Sequence, residues 1–111
     1  MDATPEPADP VERTMDRSTL VTLLTAHLPE LQTRYGITHI ALFGSGARDE
    51  LRTDSDIDVL VEFEGHATYD RYFSLRDHLE RIFGRKVDLV TEKGLKPRAR
   101  RHVEKDIIRV A

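Results

Sequence analysis

Three acidic residues in this sequence are spaced for chemistry on a phosphate. Asp56 and Asp58 stand one residue apart at the head of the apolar run Ile57-Asp58-Val59-Leu60-Val61. On a strand, positions i and i+2 leave the same face, so both carboxylates point one way. Two bare carboxylates that close repel, and each raises the other's pKa. A cation between them removes that penalty. Magnesium suits the arrangement, because it takes oxygen ligands, keeps some water and shares carboxylates with substrate phosphates. The third acid, Asp88, lies within Lys86-Val87-Asp88-Leu89-Val90-Thr91. If that segment pairs beside 56–63, three carboxylates on two strands can hold two ions about 3.5–4 Å apart, one activating a nucleophile and one stabilising a leaving phosphate.

A second element of the same chemistry precedes the acids. The segment Leu42-Phe43-Gly44-Ser45-Gly46-Ala47-Arg48 closes an apolar run with a small-residue turn. Gly44 lets the backbone approach a ligand closely. Ser45 offers a hydroxyl, and the amides of Ser45, Gly46 and Ala47 at a helix start make an anion site. Arg48 has two readings, a phosphate contact or an ion pair with Glu50 or Asp54. Singly, each feature has a plainer explanation. A Gly-Ser-Gly turn is usually only a turn, Asp-x-Asp is often a solvent-facing loop end, and Asp88 alone says little. Their order and their placement on these elements point to a polyphosphate clamp beside a metal site.

The elements that must position these residues are legible in the periodicity. A helix starts near Asp16 or Ser18, both good N-caps, and carries Leu20, Leu24, Leu28, Leu31 and Tyr35 at helical spacing. Pro29 should kink or restart it, and Gly36 is a plausible stop. Ile37–Phe43 reads as a strand, Gly44–Gly46 as a tight turn, and Ala47–Leu51 as a short helix. Ile57, Val59, Val61 and Phe63 alternate with Asp56, Asp58, Leu60 and Glu62, the period of a strand. A helix from about Tyr69 to Phe83 shows Tyr72, Leu75, Leu79 and Ile82 on one face and ends at Gly84. Lys86–Thr91 is a third strand, and a last helix spans roughly 97–108. This order predicts a small αβα sandwich with a three- or four-stranded mixed sheet, occupying residues 16–111. Residues 1–15, with Pro5, Pro7 and Pro10 among small and acidic residues, read as a disordered tail.

Composition bounds the function. The chain has 111 residues, enough for one core, with 39% hydrophobic and 33% charged residues. It has no cysteine, so disulfide frameworks, zinc knuckles and thiol nucleophiles are excluded. No apolar run approaches the roughly 18 residues of a membrane helix, and no signal-peptide core is present, so the expected compartment is the cytoplasm. The net charge of −3 is uneven. Residues 95–111 hold six bases and two acids, a basic run that serves either as a solvated helix face or as a contact for phosphates or an acidic partner. His27, His39, His66, His78 and His102 lack metal-ligand spacing in sequence and read as surface or packing residues. Tyr35, Tyr69 and Tyr72 read as packing residues.

Gly44-Ser45, ten residues, then Asp56-x-Asp58 resembles the signature of the DNA polymerase β-type nucleotidyltransferase superfamily. The longer pattern, with Ala47-Arg48, Glu50, "SDIDVLVEF" and "KVDLVT", is similar to its minimal nucleotidyltransferases, over roughly residues 18–110. The resemblance implies that Gly44 and Ser45 hold the triphosphate of ATP. It implies that Asp56, Asp58 and Asp88 ligate two Mg2+ ions, with Asp88 also activating the incoming hydroxyl. It further implies an antitoxin that transfers AMP to a protein hydroxyl, a tyrosine of a HEPN-domain ribonuclease toxin encoded nearby, within a hetero-oligomer and without direct nucleic-acid binding. Two alternatives stand beside this: an antitoxin that acts by binding alone, and the catalytic chain of a two-chain small-molecule nucleotidyltransferase. One position departs from the family, which usually has glycine where this chain has Asp49. Asp tolerates positive φ better than most residues. An extra acid there would weaken nucleotide binding unless it faces away.

Overall fold

The computed structural model describes residues 16–111, and the expected tail, residues 1–15, lies outside the described residues. Helix α1 runs Arg17–Tyr35. Asp16 caps it, its carboxylate accepting from the Thr19 amide at 2.8 Å. Leu20, Leu24, Leu31 and Tyr35 form its buried stripe. Pro29 does not break the helix, which is continuous through it. Pro29 and Thr25, whose carbonyl loses its partner to the proline, are both exposed, so water can take the place of the missing bond. Gly36 ends α1 in the left-handed conformation, φ 65°, and its amide bonds Gln32 O.

The Arg71 guanidinium fastens this end of α1. It donates to the carbonyls of Tyr35 (2.8 and 3.1 Å), Gly36, Glu64 and His66. One side chain thereby satisfies the open carbonyls of a helix end and of the loop that follows residue 63.

The strands are β1 (Ile37–Phe43), β2 (Ile57–Phe63), β3 (Val87–Thr91) and β4 (Ile108–Arg109). They form one mixed sheet in the order β3-β2-β1-β4. β1 runs antiparallel to β2 and to β4, whereas β2 and β3 are parallel, joined by helix α3 (Tyr69–Phe83). Ile57, Val59, Val61, Phe63, Val87 and Leu89 join the core that contains the stripes of α1 and α3. On the other face Ala41 and Leu60 pack with Val103 of α4 (Pro97–Lys105), flanked by Phe43, Val90, Leu95 and Ile107. Helices therefore cover both faces, the αβα sandwich anticipated from element order. Leu60, on the face shared with Asp58, is buried because α4 lies over it.

Two boundaries differ from the sequence reading. The glycine segment is itself the short helix, α2 (Gly44–Ala47), and 48–51 is not helical. The final helix stops at Lys105, and residues after it pair with the free edge of β1, Ala41 opposite Arg109 and Leu42 opposite Ile108.

Candidate active site

Strand register assembles the acids. Phe43, the last residue of β1, is the register partner of Asp58, and Asp58 is the partner of Asp88 on the parallel neighbour. Partners on adjacent strands share a face, so Asp58 and Asp88 stand side by side on the α4 face. Asp56 is exposed one residue before β2, and Ile57 N–H···O=C Lys86 (3.0 Å) fixes the start of that strand against β3. All three acids thus sit at one end of the sheet, beside the turn that leaves β1.

Electrostatics mark this end as under-neutralised. Partial burial pushes the Asp58 carboxyl up to about 6; the charges of Asp88 and Asp56 and a hydrogen bond shared with Asp88 push the same way, while Arg48 opposes them. The donor set is all oxygen and short of positive charge, with Asp58 and Asp88 hydrogen-bonded and Asp56 adding its charge, which fits a hard divalent cation.

Gly44 meets the acids directly. Its φ is 69°, and a β-carbon built on it lies 2.1 Å from Asp58 Oδ2. Only a glycine fits between this backbone and that carboxylate. Ser45 follows, half-buried, in the single turn of α2. Gly46 is buried against Leu20 of α1, where an added β-carbon would lie 3.0 Å from Leu20 Cδ1. The turn is closed by Arg48 N–H to Gly44 O (3.1 Å) and Glu50 N–H to Ser45 O (2.8 Å).

Arg48 lies beside this turn in two ion pairs, Nε to Glu50 Oε1 at 3.0 Å and Nη1 to Asp106 Oδ2 at 3.1 Å. Of the two partners that the sequence offers, Glu50 pairs with it and Asp54 does not; Asp106, which follows α4, is a partner that the fold alone supplies. Asp49 takes φ 64°, the conformation a glycine would take. Its carboxylate accepts from the Arg17 amide at the start of α1, 2.8 Å away. The extra acid is therefore engaged by a helix N-terminus, where negative charge is favourable. Neither Asp106 nor the role of Asp49 carries a local sequence signal, since both depend on elements distant in the chain.

The sequence profile of the nucleotidyltransferase domain matches residues 24–110. The chain belongs to this family. A nucleotidyltransferase domain of this length has close counterparts. The protein adenylyltransferase MntA of Thermococcus cleftensis is 39% identical over 88 residues, 79% of this chain and 89% of that protein. A solved structure described as a candidate minimal nucleotidyltransferase is 40% identical and covers 85% of this chain and 95% of its own, with a TM-score of 0.72. The complex of a tri-AMPylated Shewanella oneidensis HEPN toxin with its MNT antitoxin superposes with a TM-score of 0.61 at 19% identity, covering 82% of this chain and 71% of the matched one. At that identity the likeness is one of fold. Among the described residues of this nucleotidyltransferase, no helix is long and apolar enough to cross a membrane.

Proposed function

We propose that this nucleotidyltransferase moves AMP from ATP onto a protein hydroxyl, a tyrosine of a HEPN-domain ribonuclease toxin, and thereby silences it as an antitoxin. The observation that carries the nucleotidyl step is the row Phe43, Asp58, Asp88 across three strands, with Gly44 seated against the Asp58 carboxylate. The acceptor is supported by the relatives: one is named a protein adenylyltransferase, and another fold neighbour is an antitoxin bound to an AMPylated toxin.

In this reading Gly44 and Ser45 hold the triphosphate, and Arg48 adds positive charge beside it. Asp56, Asp58 and Asp88 are the residues that hold two magnesium ions. Bound there, magnesium neutralises the polyphosphate and steadies the leaving group. Asp88 takes the proton of the attacking hydroxyl. The hydroxyl oxygen bonds to the α-phosphorus, the bond between that phosphorus and the oxygen bridging to the β-phosphate breaks, and pyrophosphate departs. Gly44 and the α2 turn fix the α-phosphate for in-line attack. The acceptor arrives on a partner chain in a hetero-complex, as in the fold neighbour whose antitoxin is bound to its AMPylated toxin.

The deciding experiment incubates the cognate HEPN protein with this chain, magnesium and ATP and measures intact mass, with Asp58→Asn in parallel. A gain of one or more AMP units with the native chain alone is the expected result. An unmodified partner that still co-purifies would overturn the transferase reading and leave an antitoxin that acts by binding.

A further inference from the structure

The helical face opposite the carboxylates carries a second polar cluster. His27 and Glu30 are one turn apart on α1, on the same side of the helix. His78 reaches them from α3. One ligand atom from each of the three lies within 4.8 Å of the other two. The imidazoles of His27 and His78 meet edge to face at 6.5 Å.

His78 is the one buried polar side chain among the described core residues. Its Nδ1 is 2.9 Å from the Tyr35 hydroxyl, a contact buried between α1 and α3. That contact orients the ring and leaves Nε2 as the nitrogen for another partner. A ligating histidine commonly has its second nitrogen engaged in this way. His27 is half-buried and Glu30 is exposed, so both can turn inward to shorten the ligand separations. Arg34 pairs with Glu30 at 3.3 Å, but it is itself exposed and can swing into solvent.

We propose that His27, Glu30 and His78 form a zinc site that clips α1 to α3, with water in the fourth position. Two imidazoles and one carboxylate are a zinc donor set, whereas magnesium prefers oxygen alone. The two metals would therefore segregate, magnesium to one side of the sheet and zinc to the other. The spacing along the chain hides the site, because its third ligand comes from another helix.

The test uses untagged, chelator-stripped full-length protein titrated with zinc chloride against a chromogenic zinc chelator, with thermal unfolding measured in parallel. The variants are His27→Ala, Glu30→Gln and, to remove binding at the carboxylates, Asp58→Asn. One zinc per chain is expected in the native protein and in Asp58→Asn, with a raised unfolding temperature in both. His27→Ala should weaken binding by at least about tenfold and abolish the thermal shift, with Glu30→Gln in the same direction. His27 is not in the fully buried core, so its loss leaves a folded protein to measure. The absence of saturable binding, binding that His27→Ala leaves unchanged, or binding lost in Asp58→Asn would each overturn the site.

Discussion

Gly44 and Asp58 are packed so closely that a single methyl group does not fit between them: the position a β-carbon would take is 2.1 Å from Asp58 Oδ2. Strand register between Phe43 and Asp88 fixes the Asp58 backbone, so relief must come from turning its carboxylate away. Gly44→Ala should displace the carboxylate and strain a residue at φ 69°, at a cost of about 1–3 kcal/mol in stability. Nucleotidyl transfer should fall far more than stability does. Thermal unfolding and an AMP-transfer assay on the same preparation check this; a native-like rate would show that Asp58 does not need its present position.

Asp58→Asn should stabilise the ion-free protein while abolishing transfer. The Asp58 carboxyl titrates at about 6 in the fold against an ordinary 3.8, so the native state holds its proton more tightly than the unfolded chain. Stability from this group is full below about pH 3.8 and is lost as pH rises through about 6. Above that the charged group is a net cost, about 1 kcal/mol once solvent screening at this half-exposed site is allowed for. Unfolding in a chelating buffer should therefore show the variant more stable than native at pH 8, with the gap closing toward pH 4. A gap of constant size across that range would contradict the assignment.

Asp49→Gly and Asp49→Ala should separate conformation from hydrogen bonding. Glycine relieves the positive φ but loses the bond to the Arg17 amide, so its effect should lie within about 0.5 kcal/mol of zero. Alanine keeps the strain and loses the bond, and should cost about 1–2 kcal/mol. Denaturant unfolding measures both. ATP affinity should be the same in the two variants, because the carboxylate is already engaged by α1.

Tyr35→Phe leaves the buried His78 Nδ1 without its 2.9 Å partner. A loss of about 1–3 kcal/mol is expected, the cost of an unsatisfied buried polar atom. Equilibrium unfolding reads it directly, and an unchanged stability would mean that the bond contributes nothing net.

Much of this was legible in the sequence because it is written in local periods. The leucines of α1 recur at helical spacing, and the residues of β2 alternate as a strand must. The pair Asp56 and Asp58 pointed to a site only together with the Gly44-Ser45 turn and Asp88, since Asp-x-Asp by itself is often a solvent-facing loop end. What stayed hidden depends on contacts between distant elements. Arg71 looks like any surface arginine of α3, and only the fold shows it gathering four carbonyls. Asp106 became visible as the partner of Arg48 only once α4 was docked. β4 is too short to have a period of its own and forms because β1 presents an unpaired edge. That α1 runs on through Pro29 rather than restarting there depends on the exposure of Pro29 and of Thr25, whose orphaned carbonyl water can reach.

Helix α1 is tied at both ends to parts of the chain that it does not itself adjoin. At its start the Arg17 amide is held by Asp49 and Leu20 supports Gly46; at its finish Tyr35 is held by Arg71 and His78. Its 19 residues therefore act as a ruler. Adding or removing one residue between the two ties rotates one end against the other by about 100° and shifts it by about 1.5 Å. Substitution on its exposed face leaves both ties intact, but a change of length breaks one of them. Relatives that keep this turn and this clasp should vary freely in the composition of the first helix and hardly at all in its residue count.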